Sequence, residues 1–373
     1  MGRYSLHHQL LRLPALIILP ITYGLIKLFE HKPALTDSIY SNSFYPWVSK
    51  SIASLTRKIP FSVTEYAAYG LLAAAAIMLV IRIIKLILLR KEALMRFVSL
   101  IITIAIFASY GLFLFYLLWG FNFYRTPIDS RLDLPKREYG ADEVYALCVK
   151  LADDASALRE KLAEDDSGVL KSDDSKTLFA SVAEAYADYG STHELFKNPP
   201  PGIKPFNFSG LLSNMRILGF YSCYTAEPNI NADQPSLFIG FTAAHESAHY
   251  YGWAREDEAS FIAYLVCYKC KDKTASYSVT MHALNNCALL LSQMDSSRIG
   301  ELLEHYSDGM KRDLEAYSRY YNKYEHSQAG DIAEHFNDSY LSFNGQEQGV
   351  DAYEHDVDLL LEYYDALGLF IAA

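Results

Sequence analysis

The chain of 373 residues is longer than one average domain, and its charge is divided unevenly. Residues 1–119 carry 12 Lys and Arg against 4 Asp and Glu, whereas residues 120–373 carry 21 against 40. This division predicts two parts in different surroundings. The acidic second part argues against nucleic acid as a partner, because nucleic-acid binding needs a basic face.

Three apolar stretches of the first part predict transmembrane helices. Residues 97–119 contain no charged side chain over 23 positions, which is long enough to cross a bilayer. Residues 66–89 are of similar length and contain two basic residues, whose charged ends can reach the membrane interface. Residues 13–29 are shorter, and a cleaved signal peptide is the alternative for them, although a small-residue cleavage site is missing. We therefore predict a membrane domain over residues 1–119.

Basic residues mark the predicted cytoplasmic side. Five of them lie between residues 82 and 96, at the junction of the second and third spans, and two lie within residues 1–12. Because Lys and Arg concentrate in cytoplasmic loops, we expect both regions in the cytoplasm and residues 120–373 outside it. The loop over residues 30–65 also holds four basic residues, so the bias is moderate.

After the third span, residues 120–140 are predicted to be an extended juxtamembrane linker with aromatic residues at the interface. Apolar spacing then predicts helices over residues 141–162 and 175–189. Residues 219–230 (GFYSCYTAEPNI) alternate aromatic and small residues, which predicts a strand. Further predicted helices cover residues 260–270, 276–294, 298–326 and 350–364.

The segment HESAH, residues 245–249, has the pattern H-E-x-x-H. On a helix, His245 and His249 lie on one face, so both imidazoles can reach one metal ion. Glu246 can hold a water on that ion and accept its proton. Pro235 can begin this helix and Gly252 can end it. The alternative is a surface helix with two solvated histidines.

An acidic segment after the motif offers a third metal ligand. Glu256 and Glu258 point about 200° apart on a helix, so they cannot both face the metal. Four residues after Glu256 comes Ser260, a polar residue able to support a ligand histidine, as in gluzincins. Four residues after Glu258 comes Ile262, which belongs in an apolar core. Glu256 is the predicted ligand, and Glu258 remains the alternative.

The five cysteines, at positions 148, 223, 267, 270 and 287, do not form a disulfide framework. In an oxidising compartment one or two pairs can form, and at least one thiol remains. Cys267 and Cys270 read C-Y-K-C, a spacing used in redox and metal sites, but a single C-x-x-C is weak evidence for zinc. We interpret them as small buried helix residues one turn apart.

An ordered series of segments resembles the bacterial membrane proteins grouped as domain of unknown function 3810, which carry a zincin-type motif. The segments are YSNSFYP (40–46), IPFS (59–62), LLWGFNFYR (117–125), TAEPNIN (225–231), FTAAHESAH (241–249), GWAREDEASFIAYL (252–265) and YLSFNGQEQGVDAYEHDVDLLL (340–361). Tyr250 stands where the family pattern leads us to expect glutamine, a change in the cleft wall that touches no ligand. The resemblance implies a membrane-anchored zinc metallopeptidase of the bacterial cytoplasmic membrane and gives no substrate.

The expected fold is mainly α, with three N-terminal transmembrane helices. A mostly helical zincin-like domain of the gluzincin type follows over residues 141–373, with a small strand region and its catalytic face outside the cytoplasm. In zincin architectures the strand before the motif helix borders the cleft and can pair with an extended peptide.

The expected reaction is hydrolysis of a peptide or protein substrate. His245, His249 and Glu256 bind Zn²⁺, and Glu246 is the general base. The electrophile that stabilises the oxyanion is open among His335, Tyr353 and His355.

Two other functions stay open at this point. A membrane-anchored binding or scaffold protein could use a catalytically silent zincin fold, although an intact Glu246 counts against it. An intramembrane protease would place the motif inside the bilayer. Residues 237–254 are barely long enough for that and are interrupted by the motif's own polar side chains.

Overall fold

The computed structural model describes the backbone of residues 6–88, 93–171, 174–346 and 350–370, and their side chains except those of residues 6, 86 and 350–355. Packing of the Cα atoms divides the chain into two units. The first is Met1–Val48 with Val63–Arg125, and the second is Ser49–Ser62 with Thr126–Ala373.

Three helical stretches of the first unit are long and apolar enough to cross a membrane. They are His7–Glu30, Val63–Lys85 and Ala93–Leu118, with mean hydropathies of 1.6, 2.2 and 2.3. These stretches overlap the three predicted spans, so the prediction of three apolar N-terminal helices is confirmed. Residue 89, the predicted end of the second span, lies outside the described residues. The elements up to residue 125 are α1 (Leu6–Leu10), a 3-10 helix (Leu13–Ile17), α2 (Ile18–Glu30), α3 (Pro33–Leu35), a π-helix (Thr36–Phe44), α4 (Tyr45–Thr56), α5 (Val63–Leu88), α6 (Ala93–Leu118) and a 3-10 helix (Gly120–Tyr124).

The predicted linker over residues 120–140 is not extended throughout. Its start is the 3-10 helix named above, and Ile128–Arg131 form a short helix, α7. Phe121, expected in an interfacial aromatic belt, is buried instead and packs against Phe29 with ring centroids 4.7 Å apart. Because this aromatic ring is buried inside the first unit, the start of the predicted linker adopts a helical turn and is not an extended segment at the membrane interface.

The second unit is mostly helical and contains one small sheet. Its further elements are α8 (Ala141–Arg159), α9 (Ser175–Gly190), β1 (Lys204–Phe206), α10 (Ser209–Asn214), β2 (Gly219–Ser222), β3 (Glu227–Asn231), α11 (Ser236–Tyr250), α12 (Glu256–Cys267), α13 (Lys273–Met294), α14 (Ile299–Leu302), α15 (Asp308–Tyr324), α16 (Gln328–Phe343) and α17 (Val350–Ala366). Short 3-10 turns lie at Glu194–Phe196, Ser296–Arg298 and Leu303–His305.

The sheet has the order β1-β3-β2, with β1 parallel and β2 antiparallel to β3. Residues 219–230, predicted as one strand, therefore form a hairpin in which Gly219 pairs with Ile230. The turn between β2 and β3 contains Ala226 at φ 53°, a left-handed conformation that breaks a continuous strand. The prediction of a single strand is wrong, and β2 becomes an edge of the sheet.

Residues 49–62 belong to the second unit, although the predicted membrane domain included them. The Thr56 hydroxyl donates to the carbonyl of Thr225 at 2.9 Å, and the Ser62 hydroxyl donates to Asn229 Oδ1 at 2.5 Å. Both bonds are buried and reach the β2–β3 hairpin. This segment is therefore fastened to the sheet by polar contacts that helical spacing does not reveal.

Helix α11 lies at the centre of the second unit. Thirteen of its 15 residues are buried. A Cβ on Gly240 would lie 3.0 Å from Ser278 Cβ and 3.2 Å from Ala275 Cα, so α11 and α13 approach closely at a position that lacks a side chain. The Ser278 hydroxyl also donates to the carbonyl of Leu237 at 2.6 Å. These contacts hold the motif helix in a rigid core.

The C-terminal helices differ in part from the predicted ones. The predicted helix over residues 298–326 is interrupted, because Tyr306 is extended and Ser307 caps a new helix by accepting from the Met310 amide. Helix α16 (Gln328–Phe343) was not among the named predicted helices. The remaining predicted helices are present, and α12 begins at Glu256, so that Glu256 and Glu258 lie on one helix as the ligand argument assumed, although the predicted range began at residue 260.

Candidate metal centre

A tight turn brings the start of α12 back against the end of α11. Gly252 has φ 83°, a conformation that glycine adopts without strain, and its amide donates to the carbonyl of His249 at 3.0 Å. The chain then reverses and enters α12 at Glu256. Because of this reversal, a carboxylate at the first position of α12 faces the side of α11 that carries the two histidines.

Three side chains converge at this turn. His245 Nε2 lies 3.0 Å from Glu256 Oε2, and His249 Nε2 lies 3.7 Å from Glu256 Oε1. One donor atom from each of the three residues lies within 4.8 Å of the others. Among the side chains that the structure describes, this is the one such group of histidine, cysteine or acidic residues.

Outer contacts fix the orientation of both imidazoles. His249 Nδ1 lies 2.7 Å from the carbonyl of Trp253, which can only accept, so Nδ1 carries a proton and Nε2 is the nitrogen that faces Glu256. The Ser260 hydroxyl lies 3.2 Å from His245 Nδ1. Both Nε2 atoms are thus turned toward Glu256, with their opposite ring nitrogens held by neighbours.

The two candidate carboxylates have different surroundings. Glu258 is 2 % exposed, and its Oε1 accepts from the Ile128 amide at 2.8 Å and from Arg255 Nη1 at 3.1 Å. Glu256 instead contacts His245 and His249. The structure therefore brings Glu256 to the histidines and gives Glu258 a role in attaching the start of α7 to α12.

Charge reinforces this arrangement. Burial raises the pKa of Glu256, but the imidazoles of His249 and His245 outweigh it and hold that pKa well below its usual range. Burial lowers the pKa of His249, and the carboxylate of Glu256 more than offsets this, raising it to about 9. The three groups form one electrostatically coupled cluster.

Glu246 lies beside this cluster under the edge strand β2. Its side chain is buried, and its carboxylate accepts a hydrogen bond from the backbone N–H of Tyr221. A Cβ on Gly219 would lie 3.0 Å from Glu246 Cγ and 2.6 Å from Thr242 Cγ2. The missing side chain at Gly219 lets β2 approach the motif helix closely. Burial raises the pKa of Glu246 more than the neighbouring imidazoles lower it.

One nearby residue was missed in the sequence. His282 on α13 stacks on Phe241 with ring centroids 3.4 Å apart, and the ring of Phe241 lies 5.5 Å from that of His245. Burial, with a smaller contribution from His245, lowers the pKa of His282 to about 3, so its imidazole is neutral. No local spacing links His282 to the motif, because the contact is made between two helices.

The three residues proposed as electrophiles gain no support from contacts. His335 is exposed on α16. Tyr353 and His355 lie on α17, and their side chains are outside those that the structure describes. The electrophile therefore stays a prediction.

Comparison with known proteins gave one result. No curated protein and no solved structure matches the chain. Residues 40–361 match the family model described as "Protein of unknown function (DUF3810)", and the chain therefore belongs to that family.

Proposed function

We propose that the protein is a membrane-anchored zinc metallopeptidase. The observation that carries this proposal is the convergence of His245 Nε2, His249 Nε2 and the Glu256 carboxylate on one point, with Glu246 beside it. Each of these four residues has a role in metal-assisted peptide hydrolysis. Their arrangement in space is stronger support for this reaction than the sequence pattern H-E-x-x-H alone. The arrangement is of the zincin-like, gluzincin type.

The donor set fits zinc. Two imidazole nitrogens and one carboxylate are the protein ligands of many catalytic zinc sites, which keep one position for water. The Trp253 carbonyl and the Ser260 hydroxyl orient the two imidazoles, as partners of metal-bound histidines do. When bound there, zinc would lower the pKa of a coordinated water to about 7 and polarise a carbonyl oxygen.

The protein's own residues supply the proton transfers. Glu246 accepts a proton from the water that attacks the scissile carbonyl and returns a proton to the leaving amine. Its burial excludes bulk water, and the N–H of Tyr221 fixes the carboxylate in place. Because β2 is a sheet edge next to Glu246, an extended peptide can pair with it and present its backbone to the site.

A test of this proposal measures bound metal and peptide cleavage together. The full-length protein, purified in detergent without chelators, is expected to contain zinc and to cleave peptides in a mixture of diverse sequence. Cleavage should stop when a chelator removes the metal and return when zinc is restored. A metal-containing protein that cleaves no peptide would favour the scaffold alternative.

The proposed location is the bacterial cytoplasmic membrane, with the second unit on the outer side. Support comes from the three apolar helices and from the basic residues between the second and third of them. The helix with the motif, α11, is not among the candidate spans found in the described residues, which counts against an intramembrane protease. The lipid bilayer is thus an anchor for the protein and lies apart from the reaction.

Reporter fusions test the sidedness. We expect an alkaline phosphatase reporter, which is active only outside the cytoplasm, to be active when fused after Asp166. The same reporter fused after Lys91 should be inactive, because that junction carries the cytoplasmic basic residues. The opposite pattern of activities would show that the orientation is inverted.

A further inference from the structure

A groove in the second unit is lined by none of the residues of the candidate metal centre and has a volume of about 1010 Å³. It is bounded by α9, by the turn that joins α12 to α13, and by α17. Cys270 is part of its wall, and Tyr189 and His193 form another part with their rings stacked 3.8 Å apart. The groove contains a thiol for which the proposed peptidase reaction has no use.

Cys270 does not lie where the sequence predicted. Cys267 is the last residue of α12 and is fully buried, as expected for a small helix residue. Cys270 lies beyond the helix end and is partly exposed, so the interpretation of both as buried helix residues is wrong for Cys270. The turn after α12 thus places one shielded thiol and one accessible thiol next to each other.

The two cysteines lie on either side of one tight turn. The Cys270 amide donates to the Cys267 carbonyl at 3.0 Å, which closes the turn and brings both side chains to one side. A spacing of three residues at a helix end keeps the Cα atoms within the range that a disulfide can bridge.

Cys270 also lies in surroundings that favour a thiolate. Its sulfur is 3.5 Å from the Ser276 hydroxyl, next to the N-terminus of the 22-residue helix α13. The positive end of a helix dipole stabilises a negative charge there. The neighbouring Cys267 thiol outweighs burial and lowers the pKa of Cys270 to about 7.

We propose that Cys267 and Cys270 form a redox-active dithiol that exchanges with a small disulfide entering this groove. The Cys270 thiolate attacks one sulfur of the incoming disulfide, whose S–S bond breaks, and the first thiolate leaves and takes up a proton. Cys267 then loses its proton and attacks the Cys270 sulfur, which releases the second thiol. The protein dithiol is oxidised to a disulfide, and the incoming disulfide is reduced to two thiols.

The division of roles follows from exposure. The attacking thiol must meet the incoming disulfide, and Cys270 is the accessible one of the pair. The resolving thiol needs to reach only Cys270, so the burial of Cys267 is no obstacle and protects it from direct oxidation.

The other three cysteines offer no such site. Cys148 and Cys287 are fully buried on α8 and α13. Cys223 is also buried, and burial raises its pKa to about 12. Cys223 therefore serves as an internal reference for an unreactive thiol.

The test uses the full-length protein in detergent, reduced, freed of reductant and then exposed to glutathione disulfide at pH 7. Free thiols are trapped with N-ethylmaleimide, and peptides are analysed by mass spectrometry. Trypsin cleaves after Lys269, so a disulfide between Cys267 and Cys270 links two peptides that reduction separates. We expect this linked pair to form. In the folded, reduced protein we also expect Cys270 to react with glutathione disulfide at least ~10-fold faster than Cys223 does.

Two variants assign the roles of the thiols. Cys267→Ser should accumulate glutathione on Cys270, because the resolving thiol is gone, whereas Cys270→Ser should leave Cys267 unmodified. Cys223→Ser should behave as the parent protein. The proposal is overturned if both thiols of the parent protein still react with N-ethylmaleimide when the protein is denatured after prolonged exposure to glutathione disulfide. That result is decisive even if a variant fails to fold, and it is independent of bound zinc and of peptide cleavage.

Discussion

Replacing Glu246 with glutamine is expected to lower kcat/KM for peptide cleavage by at least ~100-fold while the protein keeps its zinc. Glutamine has nearly the same shape, so the close packing of Gly219 and Thr242 around this position is preserved. It cannot accept a proton, and the proton transfers of the proposed reaction lose their carrier. Steady-state kinetics and metal analysis on the same preparation measure both effects.

A matched control is Glu315→Gln, which removes an exposed carboxylate on α15 that pairs with Arg319 at 2.9 Å. This variant should keep full activity and full metal content. Activity of Glu246→Gln within a few-fold of the parent protein would refute the role assigned to the carboxylate. A thermal melt checks that the variant is folded, so that lost activity can be attributed to lost chemistry.

The second large effect distinguishes the two carboxylates of α12. Glu256→Ala should weaken zinc binding by orders of magnitude, because it removes one of the three proposed protein ligands. Glu258→Ala should keep zinc and lower the free energy of unfolding by about 1–3 kcal/mol, because the buried amide of Ile128 loses its acceptor. Zinc affinity is measured by competition with a chromophoric chelator, and stability by denaturant unfolding with zinc removed.

The ranking of the two variants decides the assignment. If Glu258→Ala loses zinc and Glu256→Ala keeps it, the third ligand has been assigned to the wrong residue. Equal loss of zinc with equal loss of stability would mean that both substitutions disturb the turn between α11 and α12.

Local spacing was sufficient to predict features that depend on one helix. The three apolar N-terminal helices follow from uninterrupted apolar stretches. His245 and His249 share a face because they lie four residues apart, and the same geometry separates Glu256 from Glu258. These conclusions need no knowledge of any neighbouring element.

Features that depend on contacts between distant segments could not be predicted in the same way. The burial of Glu258 follows from its bond to the Ile128 amide, 130 positions away in the chain. The assignment of residues 49–62 to the second unit depends on bonds such as that from Thr56 to Thr225. His282 stacks on Phe241 only because α13 packs against α11.

Errors at turns have a separate cause. The alternation of residues 219–230 is equally compatible with one long strand and with two short strands joined by a turn. The turn residue Ala226 has a left-handed backbone, but alanine is not a residue type that predicts a turn. In the same way, helical spacing continues past Cys267, while the chain leaves the helix there and exposes Cys270. In both places the residue pattern of the strand or helix continues beyond the point where the backbone leaves that element, so the pattern does not locate the turn.

The most direct measurement is the zinc content of the full-length protein, purified in detergent without chelators and analysed by mass spectrometry of the metal. We expect about one zinc per chain in the parent protein, less than roughly 0.1 in His245→Ala, and an unchanged content in His305→Ala, whose imidazole pairs with Asp153. A parent protein without zinc, even after incubation with zinc, or a His245→Ala variant with full zinc content would contradict the proposed metal centre.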